Sequence, residues 1–187
     1  MSRALHLLSL AFIGVWTSDK PTAPAAKTAD RIVVEKSTRT MKLMLGNQVL
    51  KTYKVALSTE PVGAKEREGD HKVPEGHYVI DSKNSHSRFH LALHISYPNA
   101  SDREKARTLG VKPGGDIEIH GLGSKYGWVG SLHLQSNWTD GCIAVTNSEI
   151  EEIGLWSQSE HAWRYVRNMV RSWKASVCPS ARLCPSH

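Results

Sequence analysis

RIVVEKSTRTMKLMLGNQVLKTYKVALST, residues 31–59, repeats apolar side chains at short spacing: Ile32, Val33 and Val34, then Met41, Leu43 and Leu45, then Val49, Tyr53, Val55 and Leu57. Alternation of this kind predicts strands, and the break at Gly46-Asn47 predicts a hairpin turn. Downstream, Pro61 to Gly69 reads as a charged loop, and Val73-Pro74-Glu75-Gly76 as a turn opening onto the strand His77-Tyr78-Val79-Ile80. A further strand is expected through Phe89, Leu91, Leu93 and Ile95, with His90, Ala92 and His94 on its other face. Ser101-Asp102-Arg103-Glu104 has a capping-box pattern and Gly110 is a natural stop, so one short helix is expected over 102–109. Pro113-Gly114-Gly115 then turns the chain into the strand Asp116 to His120, and the segment 123–140 shows no sustained period. A second helix should open near Thr146, where Thr146 with Glu149 and Ser148 with Glu151 both fit a capping box, and it carries Ile150 and Ile153. The reading is a mainly β domain with a few short helices.

Composition narrows the class. The chain has 187 residues, 40% hydrophobic and 22% charged, enough for one domain with its own core. Mixed charges with Gly 14 and Pro 8 spread widely exclude a collagen-like, coiled-coil or wholly disordered chain. The net charge of +6 is local: residues 31–160 carry 16 basic and 16 acidic side chains, whereas residues 161–187 carry five bases (Arg164, Arg167, Arg171, Lys174, Arg182) and no acid. Without a basic stripe in the main domain, nucleic acid is not an expected partner.

Residues 1–29 read as an export signal and linker: Arg3, the apolar run Leu7 to Trp16, then a polar Pro/Ala-rich stretch. The run is about half the roughly 20 residues of a membrane-spanning helix, so export is favoured over a permanent anchor. Three cysteines are present. Cys178 and Cys184 either close a small disulfide loop or lie incidentally in the tail, and Cys142 stands apart in both cases.

Gly141-Cys142 lies between a polar loop and the short apolar run Ile143-Ala144-Val145. A nucleophilic thiol needs a base within reach and donors for an oxyanion, and a glycine before the cysteine lets the backbone turn its N–H groups inward. His120 ends a strand and precedes Gly121, which leaves its imidazole uncrowded. On residue types alone, a buried structural Cys and a satisfied core His are the favoured reading.

The surrounding sequence adds to this. His120-Gly121, followed after a Gly-rich loop by Trp138-Thr139-Asp140-Gly141-Cys142-Ile143-Ala144-Val145-Thr146-Asn147, resembles the signature of L,D-transpeptidase (YkuD-type) catalytic domains. Gly69-Asp70 with Lys72, Pro74-Glu75-Gly76, Tyr78 and Ile80 resembles the family's upstream segment. Ser96-Tyr97-Pro98-Asn99, Asp102, Ala106, Gly110 and Pro113-Gly114-Gly115-Asp116 are similar to its YafK-like murein branch. The resemblance spans roughly residues 31–153. It implies an L,D-transpeptidase-type β-sandwich or open barrel over residues 30–155, acting on peptidoglycan stem peptides in the bacterial periplasm or envelope through an acyl-enzyme that passes either to an amine, giving a cross-link, or to water, giving an L,D-type hydrolase (carboxypeptidase or cross-link- or lipoprotein-releasing amidase). It further implies Cys142 as nucleophile, His120 as general base and later acid, and the Gly141 and Cys142 amides as oxyanion donors. Gly121, Trp138 and Asp140 are expected as substrate contacts, with no cofactor, no metal and a monomeric chain.

Three positions depart from the commonest family pattern. Asp140 stands where a His usually precedes Gly-Cys, and an acid there does not help to lower the thiol pKa, so activation falls to His120. Ala144 replaces an Arg two residues after the Cys. No closing strand is recognisable after Leu155. Instead Trp163, Val166, Val170 and Trp173 share one helical stripe beside Arg164, Arg167, Arg171 and Lys174, which predicts a basic amphipathic helix within 156–187. That helix would dock on the β domain or touch an anionic membrane or wall polymer. Two rivals remain. Ser131, His133 and Asp140 reproduce part of a zinc D,D-peptidase ligand spacing, without the Glu-x-x-His that would complete it. A non-catalytic wall-binding module is the other.

Overall fold

The computed structural model describes residues 29–156 and, for the backbone alone, 167–171. Eight strands are present among the described residues: β1 (Arg31–Glu35), β2 (Thr40–Leu45), β3 (Gln48–Lys54), β4 (Gly76–Ser87), β5 (His90–Ile95), β6 (Glu118–His120), β7 (Ile143–Ala144) and β8 (Arg167–Arg171). Two helices accompany them, α1 (Ala100–Thr108) and α2 (Asn147–Trp156). The strand order is β3-β2-β1-β8-β4-β5-β6-β7. β2 and β3 form the expected hairpin around Gly46, whose φ of +56° suits glycine.

β4 is longer than the four residues expected, because it serves two sheets. Gly76–Val79 pairs with β8, and from Ile80 onward the strand pairs with β5 after a register shift between Ile80 and Ser82. An irregularity of this kind bends a strand so that its halves face different neighbours. Alternate residues from both sheets, including Ile32, Val34, Met41, Leu43, Leu93, Ile95, Ile119 and Ile143, join one buried cluster, the core of a sandwich. Ala56 and Ala144 exchange backbone hydrogen bonds of 2.9 Å and tie the chain after β3 to β7, curling the sheet edges toward each other.

Both helices start where a side chain caps them. Thr146 caps α2: its Oγ1 accepts from the Glu149 amide at 3.3 Å and the Glu149 carboxylate accepts from the Thr146 amide at 2.9 Å. α1 begins two residues earlier than expected, because Asn99 and Asp102 form the capping box, with reciprocal bonds of 3.1 and 2.9 Å. Asn accepts at an N-cap as well as Ser does, and Asp reaches back as Glu would. Gly110, at φ +67°, ends the helix as anticipated.

The expected C-terminal helix is corrected over Arg167–Arg171. This segment is a strand, parallel to β1 (Val33 opposite Met169) and antiparallel to β4 (His77 opposite Met169). β1 and β4 present backbone groups that need partners, and a strand inserted between them satisfies both sides, which outweighs a short helical stripe. The sheet thus draws on chain beyond residue 155. The export signal, Cys178, Cys184 and the rest of the tail lie outside the described residues.

Segment 123–140 contains two short 3-10 turns within Gly127–Gln135, broken at Gly130 (φ +53°). Such turns are too short and too tight to leave the 3.6-residue period of a helix.

Candidate active site

β6 and β7 run side by side in parallel, with His120 opposite Ala144. Cys142 precedes Ala144 by two residues, so strand parity turns Cys142 and His120 toward the same side. Both line one cleft of about 700 Å³, with Trp138, Asp140, Arg88 and Glu118 among its other walls. Gly141 shapes the turn that delivers the thiol. Its φ is +102°, and a Cβ there would lie 3.0 Å from the Lys72 carbonyl and 3.2 Å from Ile117 Cδ1. The amide N–H groups of Gly141 and Cys142 make no hydrogen bond among the described residues.

His120 is 1% exposed. Its Nδ1 lies 2.7 Å from the Gly121 carbonyl, which can only accept, so the proton sits on Nδ1 and the Nε2 lone pair is free. Phe89 stacks on the ring at 4.2 Å and Trp138 meets it edge-on at 5.8 Å. Burial pushes the imidazole pKa down to about 4, against a smaller opposing contribution from the Gly121 carbonyl. The thiol moves the other way. Burial raises it to about 11, the Glu118 amide donating to Sγ at 3.4 Å works against this, and Glu118, Asp140 and Asp116 add to it. At neutral pH the pair is a thiol and a neutral imidazole.

Asp140 is exposed and lies 2.5 Å from His71 Nδ1, at the cleft wall. Trp138 also donates from Nε1 to His133 Nδ1 at 3.4 Å. Gly121 sits behind the cleft wall. It is buried and does not line the cleft; a Cβ there would meet Asn147 Oδ1 at 2.7 Å and the Phe89 carbonyl at 2.9 Å. Its contribution is to let β6 approach its neighbours and to hold His120. His90 and His94 pair with Glu151 and Asp81 at 2.6 and 2.5 Å, away from the cleft. Among the described residues no group of three His, Cys, Asp or Glu side chains gathers to hold a metal ion. His133 and Asp140, which shared a zinc-ligand spacing, bond to different partners.

The tertiary structure adds residues that spacing did not mark. The β4–β5 hairpin tip lays Phe89 on His120 and Arg88 over Phe89, the guanidinium carbon 4.7 Å from the ring centre. Asn147 accepts from the Leu122 amide at 2.8 Å and so anchors the chain just after His120. The only sequence signal for Asn147 was its place at the end of the Cys142 signature.

With this geometry in place, residues 29–159 match the profile of YkuD, the L,D-transpeptidase catalytic domain. The chain belongs to the L,D-transpeptidase catalytic domain family. It is 30% identical over 159 residues to YafK of Escherichia coli (strain K12), itself named an L,D-transpeptidase by assignment; the match covers 77% of this chain and 56% of YafK. The fold resembles that of Pgp2 from Campylobacter jejuni, described as a helical cell shape determining protein, with a TM-score of 0.58 and 23% identity over 79% of this chain and 49% of that one. Bd1075 of Bdellovibrio bacteriovorus is similar at TM-score 0.52 and 21% identity, over 78% of this chain and 51% of that one. This L,D-transpeptidase domain therefore spans about half the length of those relatives.

Proposed function

We propose that this protein is a cysteine-dependent L,D-transpeptidase that cuts and rejoins peptidoglycan stem peptides in the bacterial cell envelope. The Cys142 sulfur attacks the scissile carbonyl while its proton passes to His120 Nε2. The Gly141 and Cys142 amides receive the oxyanion. As the C–N bond breaks, His120 returns the proton to the leaving amine, and a thioester remains. An incoming amine then attacks that thioester, His120 takes the amine's proton, and the thiol is restored as the new amide forms. Trp138 and Asp140 contact the peptide, and Gly121 acts through the orientation of His120. The supporting observation is the convergence of His120 and Cys142, from neighbouring strands, on one cleft, with the imidazole lone pair left open by the Gly121 carbonyl.

A hydrolase is the second reading, favoured by the polar side of the same cleft. Asn84, Ser87 and three carboxylates line it and offer hydrogen-bonding sites for a water beside the thioester, whose attack would release a shortened peptide. Intact-mass and product analysis with a disaccharide-tetrapeptide, with and without an acceptor stem, tests both. A Cys142 adduct and cross-linked dimers are expected from the native chain, and Cys142→Ala and His120→Ala should each lower turnover by at least about 10³-fold. Shortened peptide without dimers would establish the hydrolase. Bound peptide without any product would make the chain a wall-binding module. The export signal of residues 1–29 and a monomeric state belong to the same proposal.

A further inference from the structure

The charges of the cleft are unequal. Asp116, Glu118 and Asp140 bring three carboxylates to its wall, His120 is neutral, and Arg88 is the one Lys or Arg among the described residues lining it. Asp140 already has His71 beside it. Arg88 is exposed and has no hydrogen bond or ion pair among the described residues, so its fork of N–H donors is free. It is not loosely placed. The guanidinium rests over Phe89, Phe89 stacks on His120, and the Phe89 amide donates to Ser87 Oγ at 3.1 Å. The backbone of the tip packs against Gly123, where a Cβ would come within 2.5 Å of the Arg88 carbonyl. Ala144, two residues after the thiol, is fully buried and offers no polar group.

We propose that Arg88 is the specificity residue of this cleft, binding through its guanidinium a single free carboxylate of the peptide next to the scissile amide. The inference rests on the transpeptidase reading. A planar fork held against an aromatic ring keeps its outer N–H edge for a bidentate carboxylate, and stacking removes much of the ordering cost. The three acids of the same cleft make its potential negative, and because repulsion grows with ligand charge a singly charged carboxylate is opposed less than a phosphate or other polyanion. Two carboxylates of the substrate class qualify: the terminal one on the leaving residue, and a side-chain one on the residue that carries the scissile carbonyl.

The test compares the native chain, Arg88→Met and Arg88→Lys on three peptides: free acid, terminal carboxamide and side-chain carboxamide. Cys142 acylation is followed by intact mass. Arg88→Met should reduce kcat/KM on the free acid about tenfold or more, mainly through KM, with partial recovery in Arg88→Lys. The carboxamide that removes the recognised group should be slow with the native chain and lose little more in Arg88→Met, which identifies the source. Equal losses on all three peptides would overturn the inference. The same peptides titrated into Cys142→Ala protein, with and without Arg88→Met, separate the two levels. Arg88-dependent carboxylate binding without turnover in the native chain would overturn the transpeptidase chemistry and keep Arg88 as the reader. Turnover without carboxylate preference would do the reverse.

Discussion

Two long irregular segments flank the thiol, 61–75 on one side and 123–140 on the other, and they are held in opposite ways. The first is fastened by buried ions. Lys36 is 0% exposed, and its Nζ bonds the Gly63 and Val73 carbonyls at 2.5 and 3.2 Å and Glu75 at 2.9 Å. Lys65 and Asp70 pair at 2.8 Å, and Asp70 also accepts from the amides of Glu66, Arg67 and Lys72. The second is held by scattered bonds, such as Arg39 to the Leu134 carbonyl at 2.5 Å, and leaves Trp128 82% and Tyr126 63% exposed. Charged groups taken out of water demand complete pairing, so the first segment has one arrangement and presents the Lys72 carbonyl as the wall behind Gly141. The aromatic segment leaves more of its surface in solvent.

This contrast can be broken first at Lys36. Lys36→Met strands the Glu75 carboxylate and two carbonyls, and should cost about 3–5 kcal/mol in urea unfolding. A loss below about 1 kcal/mol would mean that the ions do not fasten the segment.

Acid sharpens it next. The folded pKa of His120 is depressed to about 4 from 6.5, so between those values the unfolded chain binds the extra proton. Stability from this group is full above about pH 6.5 and declines by about 3 kcal/mol as pH falls to 4, and His120→Gln should flatten that part of the curve. Asp70, lowered to about 2, follows: its contribution is present above 3.8 and is lost as pH falls toward 2. Urea midpoints measured across pH 2–8 should show the two windows in succession.

Gly141→Ala should be milder in stability, about 1–3 kcal/mol, because an L side chain at φ +102° is strained and meets the Lys72 carbonyl. Acylation of Cys142 should fall well beyond what the lost stability explains, read by intact mass at a temperature where the variant is folded. Trp128→Ala is expected to change stability by less than about 0.5 kcal/mol, since the indole is exposed. A large loss in thermal melting would show that the aromatic segment is part of the core.

Legibility in the sequence followed the range of the interactions. The β2–β3 hairpin, the Gly110 stop and the Thr146 cap are set by residues within a few positions of one another, and they were readable. Cys142 and His120 were marked by the contiguous motif around each rather than by residue type, and the cleft they share is set by the pairing of β6 with β7. Arg88 and Phe89 were not marked, because their importance comes from a hairpin tip folding onto a ring 31 positions after Phe89. The packing at Gly121 was not readable for the same reason: its constraint is the approach of Asn147 and Phe89. β8 was misread because a five-residue strand with partners on both sides is specified by its neighbours rather than by its own period.

The sequence by itself determined the mainly β class, the turns and caps, and the family to which the thiol and the imidazole belong, since each depends on short-range sterics, alternation or contiguous motifs. Only the tertiary structure decided that β8 fills the gap between β1 and β4, that His120 is buried, neutral and oriented by Gly121, and that a lone guanidinium stands in an acid-lined cleft. Those properties arise from desolvation and from backbone groups seeking partners across the fold, and neither exists until the chain has closed on itself.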